Sequence, residues 1–204
     1  MNQTVQVIGE SILKVAPDTI EFFITLETRS ENYQELLRKN QEQLEKLTES
    51  FVNYDFDEPN LRLISYEIFP LYKTVENKSV FDTFQSIQRF NFQIDNNNEL
   101  LGRVLTAIDE SKVPVTFSMN YTINDKSKWE KELLTSAVNE AYQEATILTE
   151  AVGKKVGSAI AIVSLDEQNT FRSQTMFTAN AISTNYNPMD IELRQRVNVT
   201  WEII

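Results

Sequence analysis

The chain has 204 residues, with 30 Asp and Glu against 19 Lys and Arg for a net charge of −11, and it has neither His nor Cys. Those two zeros exclude serine- and cysteine-triad hydrolysis, histidine acid–base catalysis, disulfides and zinc sites of the Cys/His type. The acidity argues against nucleic acid, which needs a basic stripe, and against anionic membrane surfaces.

A hydrophobic fraction of 41% with 10% aromatics supports a sizeable core, so global disorder is not expected. The opening Met1-Asn2-Gln3-Thr4 has neither a basic nor an apolar leader region. The apolar run Ala159–Val163 falls far short of the ~20 residues that span a bilayer, so no membrane insertion is expected. As it stands the sequence predicts a soluble, cytoplasmic chain, or a periplasmic or cell-surface one had a leader been removed.

Val5 and Val7, then Ile12, then Ile20, Phe22, Ile24 and Leu26 follow the period of two that marks half-buried strands. Gly9 predicts a bend in the first strand, about 3–15, and Pro17-Asp18 separates it from a second, 18–29. The spacing then changes to three and four: Tyr33, Leu36, Leu37, Asn40, Leu44, Leu47, Phe51 and Tyr54 form one stripe, with charges opposite. This predicts an amphipathic helix over 31–54, capped by Ser30.

After a turn at Asp55–Asn60, segments 61–75 and 80–95 alternate and are rich in Ile, Tyr and Phe. Glu76-Asn77-Lys78-Ser79 joins them as a hairpin turn. Asn96 and Glu99 have capping-box spacing before a second helix with Leu101, Val104, Leu105 and Ile108 inward. Val115, Phe117, Met119 and Tyr121 form the next strand. A third helix, 126–152, is expected to turn Leu134, Ala137, Ala141, Ala145, Leu148 and Val152 inward, with Gly153 at its C-terminus. Strands over Val156–Leu165 and Ile191–Ile204 close the chain. Between them, Gln168–Pro188 is almost uncharged yet carries Phe171, Met176, Phe177, Ile182 and Tyr186. That composition suits either a contact with a partner or a second copy, or a mobile loop whose aromatics fold back on the body.

Strands arrive in neighbouring pairs rather than in strict alternation with helices. The expected class is α+β: a largely antiparallel sheet of long strands packed by about three helices, within a single domain over 1–204.

The chain resembles the SIMPL domain family, which includes bacterial periplasmic and outer-membrane immunogenic proteins and stress-defence proteins. The resemblance rests on Val5-Gln6-Val7-Ile8-Gly9, Val15-Ala16-Pro17-Asp18, Asn40, Leu71-Tyr72, and the helix Ala137-x3-Ala141-x3-Ala145-x2-Leu148 ending in Gly153-x3-Gly157. Ser11 stands where the family often has a second Gly, and Thr83-Phe84 where it often has Gly-Tyr. The resemblance implies an α+β fold, ring-like or channel-like oligomers and an association with stress tolerance. It supplies no catalytic residues.

Carboxylates are the only abundant acid–base groups, and Asp18 and Glu21 are simply neighbours near a strand start. Asp55-Phe56-Asp57-Glu58 fails as a calcium loop, with Asn60 where Gly is needed, Tyr66 where Glu is needed and Pro59 at an oxygen-ligand position. Gly153-Lys154-Lys155 lacks the remaining residues of a phosphate loop. The hairpin aromatics Tyr66, Phe69, Tyr72, Phe81 and Phe84 suit a pocket or an oligomer seam. The sequence thus predicts a non-enzymatic homo-oligomer with an interaction or stress-protective role, without cofactor or metal. The other reading is a small-molecule-binding module with an aromatic pocket between sheet and helices. A hydrolase built on carboxylates alone would need two of them converging in a cleft.

Overall fold

The computed structural model describes residues 3–56, 61–165, 172–173 and 188–204. The elements are β1 (Thr4–Val15), β2 (Thr19–Ser30), α1 (Tyr33–Asn53), β3 (Arg62–Val75), β4 (Lys78–Asp95), α2 (Asn98–Glu110), β5 (Val115–Thr122), α3 (Ser127–Glu150), β6 (Val156–Leu165), β7 (Arg172–Ser173) and β8 (Ile191–Ile203). The fold is α+β. Its strands divide between two sheets, and the described chain forms two compact units. One is assembled from 3–17, 122–165 and 188–204. The other is the stretch 18–121.

The continuous unit runs β2-α1-β3-β4-α2-β5, and its sheet has strand order β3-β4-β2-β5, continued beyond β5 by the two-residue β7. That order is the split β-α-β arrangement of ferredoxin-like folds. β4 pairs antiparallel with both β2 and β3. Ile20, Phe22, Ile24 and Leu26 turn one face of β2 into a core with Phe90, Phe92, Leu47, Phe51, Leu101 and Val104. Phe92 meets Phe51 and Phe56 edge-on, with centroids 5.3 and 5.7 Å apart.

Both helix caps differ from the sequence expectation. The Asn32 side chain, not Ser30, accepts hydrogen bonds from the Gln34 and Glu35 amides at 2.9 and 3.1 Å. Ser30 instead donates to the Glu35 carboxylate. At α2 the cap is Asn97, not Asn96, and it accepts from the Glu99 and Leu100 amides. The hairpin turn has two residues, Glu76 and Asn77, at φ 48° and 61°. This left-handed pair is the type I′ geometry that matches strand twist.

The second unit has strand order β1-β8-β6 with α3 packed on the sheet. β1 and β8 pair without interruption from Thr4 opposite Glu202 to Val15 opposite Ile191. Gly9 therefore marks no bulge in that ladder. Its role is a close approach: a Cβ there would sit 2.0 Å from the Ala137 carbonyl oxygen and 2.7 Å from the Ala141 amide nitrogen. The helix backbone rests on the strand where the side chain is missing. The buried ridge of α3 is Leu133, Ala137, Ala141, Ala145 and Thr149. Leu134, Leu148 and Val152, expected inward, are exposed. A strict four-residue repeat narrows the inward stripe, and small side chains at its centre bring the backbone close. At the helix end the Gly153 amide (φ 71°) donates to Glu150 and the Lys154 amide to Thr149, a Schellman closure.

Candidate functional site

The carboxylates are tied to their neighbours rather than gathered. Asp18 accepts from the Thr19 hydroxyl at 2.8 Å, and Glu21 accepts from Asn91 and Gln93. Asp55 pairs with Arg103 at 3.0 Å. Among the described residues no three Asp or Glu side chains cluster to hold a metal ion. The resolved perturbations are local too. A hydrogen bond from Lys39, helped by Ser30, holds the Glu35 carboxyl below its ordinary range. Ser127 does the same for Asp125. Hydrogen bonding to Asp82 raises Lys73, and hydrogen bonding to Glu110 raises Tyr54. Lys128, Lys131, Glu132, Thr135, Ser136 and Asn139 line an open depression on α3.

Three features stand out instead. The first is a polar layer inside the 18–121 unit. Asn40, 2% exposed, accepts from the Ser86 hydroxyl at 2.8 Å and donates to the Tyr66 hydroxyl at 3.0 Å. Thr28 donates to Gln43 beside it. Buried polar groups persist when their partners are present, and this set fixes α1 against β3 and β4. Tyr66 therefore serves the interior through its hydroxyl.

The second is a row of aromatic rings on the β3–β4 arm. Tyr72 and Phe81 are direct cross-strand partners with centroids 6.2 Å apart. Phe81 lies 5.0 Å from Phe84, which meets Tyr33 of α1 edge-on at 5.6 Å. Tyr72 remains 62% exposed, and Tyr33 and Phe81 are exposed as well. The sequence reading grouped Tyr72, Phe81 and Phe84. It assigned Tyr33 to the buried stripe of α1, whereas Tyr33 caps the row. Phe69 stands apart, paired across the ladder with Gln85 and half-buried.

The third is β6. It lies at an edge of its sheet, and none of its ten residues is charged or fully buried. Ile160, Ile162 and Val163 are each more than half exposed. At the opposite edge, the Glu10 amide of β1 donates to the Glu140 carboxylate of α3 at 2.5 Å. The sequence reading placed β6 correctly as a strand and missed its exposure. The available signal was a ten-residue run with no polar alternation and no charge. Phe171, Met176, Phe177, Ile182 and Tyr186, the predicted contact residues, lie outside the described residues.

Comparison with known proteins adds a family. No curated protein matches the sequence. Among solved structures, CutA from Synechococcus elongatus in complex with Bis-Tris is 11% identical, covers 62% of this chain and 99% of its own, and has a TM-score of 0.23. A hydrolase from Listeria innocua is 10% identical, covers 95% of this chain and 91% of its own, and has a TM-score of 0.19. A family model, SIMPL, described as a protein of unknown function (DUF541), matches residues 5–201. The match spans both compact units and all but the outermost residues of β1 and β8, and the chain belongs to the SIMPL family.

Proposed function

We propose that this SIMPL protein is non-enzymatic and homo-oligomeric, and that it acts through its surfaces in an interaction or stress-protective role. The observation that carries the reading is the aromatic row Tyr33–Phe84–Phe81–Tyr72, presented on a hairpin arm whose residues are mostly exposed. Aromatic rings in contact with one another on an open surface are typical anchors of protein interfaces.

Sedimentation velocity of the full chain from about 1 to 100 µM, the range suited to interfaces at or below standard size, tests this reading. Assembly whose mass falls in Tyr72→Ser/Phe81→Ser supports it. A strict monomer across that range overturns it. A ligand-binding role would draw on the same rings, exposed outside the packed core of the 18–121 unit. Thermal-shift screening of flat aromatic and saccharide ligands separates the two, because a ligand bound only by the native state raises the melting temperature.

A further inference from the structure

Helix α1 is charged on one flank and uncharged on the other. Glu35, Lys39, Glu42, Lys46 and Glu49 recur at spacings of four and three, and Glu35 pairs with Lys39 at 2.9 Å. Tyr33, Leu37, Gln41, Leu44, Thr48 and Val52 follow the same spacings on the opposite flank and carry no charge. Ser50 donates to the Ala107 carbonyl of α2, so the charged flank lies on the α2 side. Tyr33 meets Phe84 and Asn40 reaches Tyr66, so the uncharged flank lies toward β3 at the sheet edge. Tyr33, Leu37 and Val52 are exposed there.

β3 continues the strip. Leu63, Tyr66, Ile68 and Pro70 stand opposite Phe90, Gln88, Ser86 and Phe84 of β4, on the face that bears the helices, and Tyr72 follows them. None is charged, and the Arg89–Glu67 ion pair lies on the other face. Tyr33, Tyr66, Tyr72 and Phe81 are each about two- to three-fifths exposed. At 150–250 Å² per ring they leave roughly 300–500 Å² of aromatic surface open. With Leu37, Val52, Leu63 and Pro70 the strip approaches the ~800 Å² per partner that a stable interface buries. Monomers rarely leave an apolar patch of that size uncovered.

Charge selects the occupant. Two copies at −11 each repel over most of their surfaces, whereas strip against strip opposes no like charges. A basic partner, drawn to acidic surface, would gain nothing from a strip without charge. A strip that faces itself about a two-fold axis is also isologous, so the contact closes. We propose that the uncharged flank of α1 and the helix-side face of β3 pack against the same strip of a second copy. The proposal rests on the homo-oligomeric reading above and extends its aromatic row into a two-fold interface.

Sedimentation of the full chain and spin-label distances test it. Leu37→Lys/Gln41→Lys sets like charges on both sides of the seam and is expected to raise the dimer dissociation constant about tenfold or more. Lys46→Gln/Glu49→Gln, on the charged flank and without change of net charge, is expected to leave it within about twofold. The chain has no Cys, so one introduced Cys takes a single spin label. Labels at Gln41→Cys should lie closer across the dimer than labels at Lys46→Cys by about 10 Å or more, because the two flanks are a helix diameter apart in each copy. The distances decide the matter even if far-UV circular dichroism shows that the lysine variant fails to fold. An oligomer of folded protein indifferent to Leu37→Lys/Gln41→Lys, or label distances in the opposite order, overturns the two-fold strip. Assembly still lost in Tyr72→Ser/Phe81→Ser then leaves the aromatic-row reading standing. A monomer at every concentration overturns both.

Discussion

Gly9→Ala is the sharpest test of how the β1–α3 contact is built. The added methyl would fall 2.0 Å from the Ala137 carbonyl oxygen, 2.7 Å from the Ala141 nitrogen and 2.9 Å from the Ala141 Cβ. The two nearest atoms are helix backbone, so no rotamer change relieves the clash. The Ala137 oxygen would have to retreat about 1.4 Å to reach ordinary contact at 3.4 Å. A shift of that size pulls the Ala137–Ala141–Ala145 ridge off Val7, Val197 and Val199. Overpacking typically costs 1–3 kcal/mol, and loss of close packing along a helix adds to it. Gly→Ala also gains about 0.4–1 kcal/mol by restricting the unfolded chain, which offsets only part of the loss. The net expectation is destabilisation by about 2–3 kcal/mol. Both tryptophans, Trp129 and Trp201, belong to this unit, so their fluorescence reports its unfolding selectively. In urea the midpoint should fall by roughly 0.7–3 M, taking a slope of about 1–3 kcal/mol/M. Adding Ala141→Gly should not rescue the variant, because the backbone clash remains. An unchanged midpoint in Gly9→Ala would refute the reasoning.

Asn32→Ala and Asn97→Ala should each cost about 1 kcal/mol by equilibrium denaturation. An unchanged midpoint in either variant would count against its cap assignment. Asn40→Ala strands the buried Ser86 hydroxyl and should cost about 2–3 kcal/mol. A double-mutant cycle with Ser86→Ala should show coupling between the two, and additive losses would count against the polar layer. Glu35 has its folded pKa depressed by Lys39 and Ser30, so its contribution is present above the ordinary 4.5 and lost as pH falls through the lowered value. Glu35→Gln should therefore flatten the loss of stability below pH 4.5, and an unaltered acid limb would exclude that contribution. Lys73 runs the other way: its pKa lies above 10.5, so the stability it lends is present below that pH and lost as pH rises through the raised value. Asp82→Asn should remove that alkaline loss.

Local patterns made much of the fold legible. Spacings of three and four delimit α1 to within two residues at its start and one at its end, and alternation places every long strand near its observed bounds. The caps were misplaced by one or two residues because Ser30 and Asn32, and likewise Asn96 and Asn97, are adjacent candidates whose choice depends on backbone angles. The division into two sheets was hidden because pairings such as Thr4 with Glu202 join residues far apart in sequence. Gly9 was recognised as special for the wrong reason, since a missing side chain permits either a bend or a close approach. At the candidate surfaces, single aromatics were readable, while the row depends on which strands lie side by side. The exposure of β6 left one trace in the sequence, an uncharged run without polar alternation, and that pattern reads equally as a strand buried on both faces.

The unbroken ladder between β1 and β8 has a consequence for synthesis. β1 leaves the ribosome well before its only described sheet partner, which follows about 175 residues later in the sequence. At about 5–20 residues per second, β1 waits roughly 10–40 s for that partner. The 18–121 stretch holds four of its sheet's five described strands, β2 to β5, in one continuous piece and can fold during that interval. The nascent chain thus carries a finished inserted unit while Val5, Val7 and Ile8 still lack their strand. In that window the chain is open to the wrong partner, and a chaperone acting on it would have an unpaired apolar strand, β1, to hold.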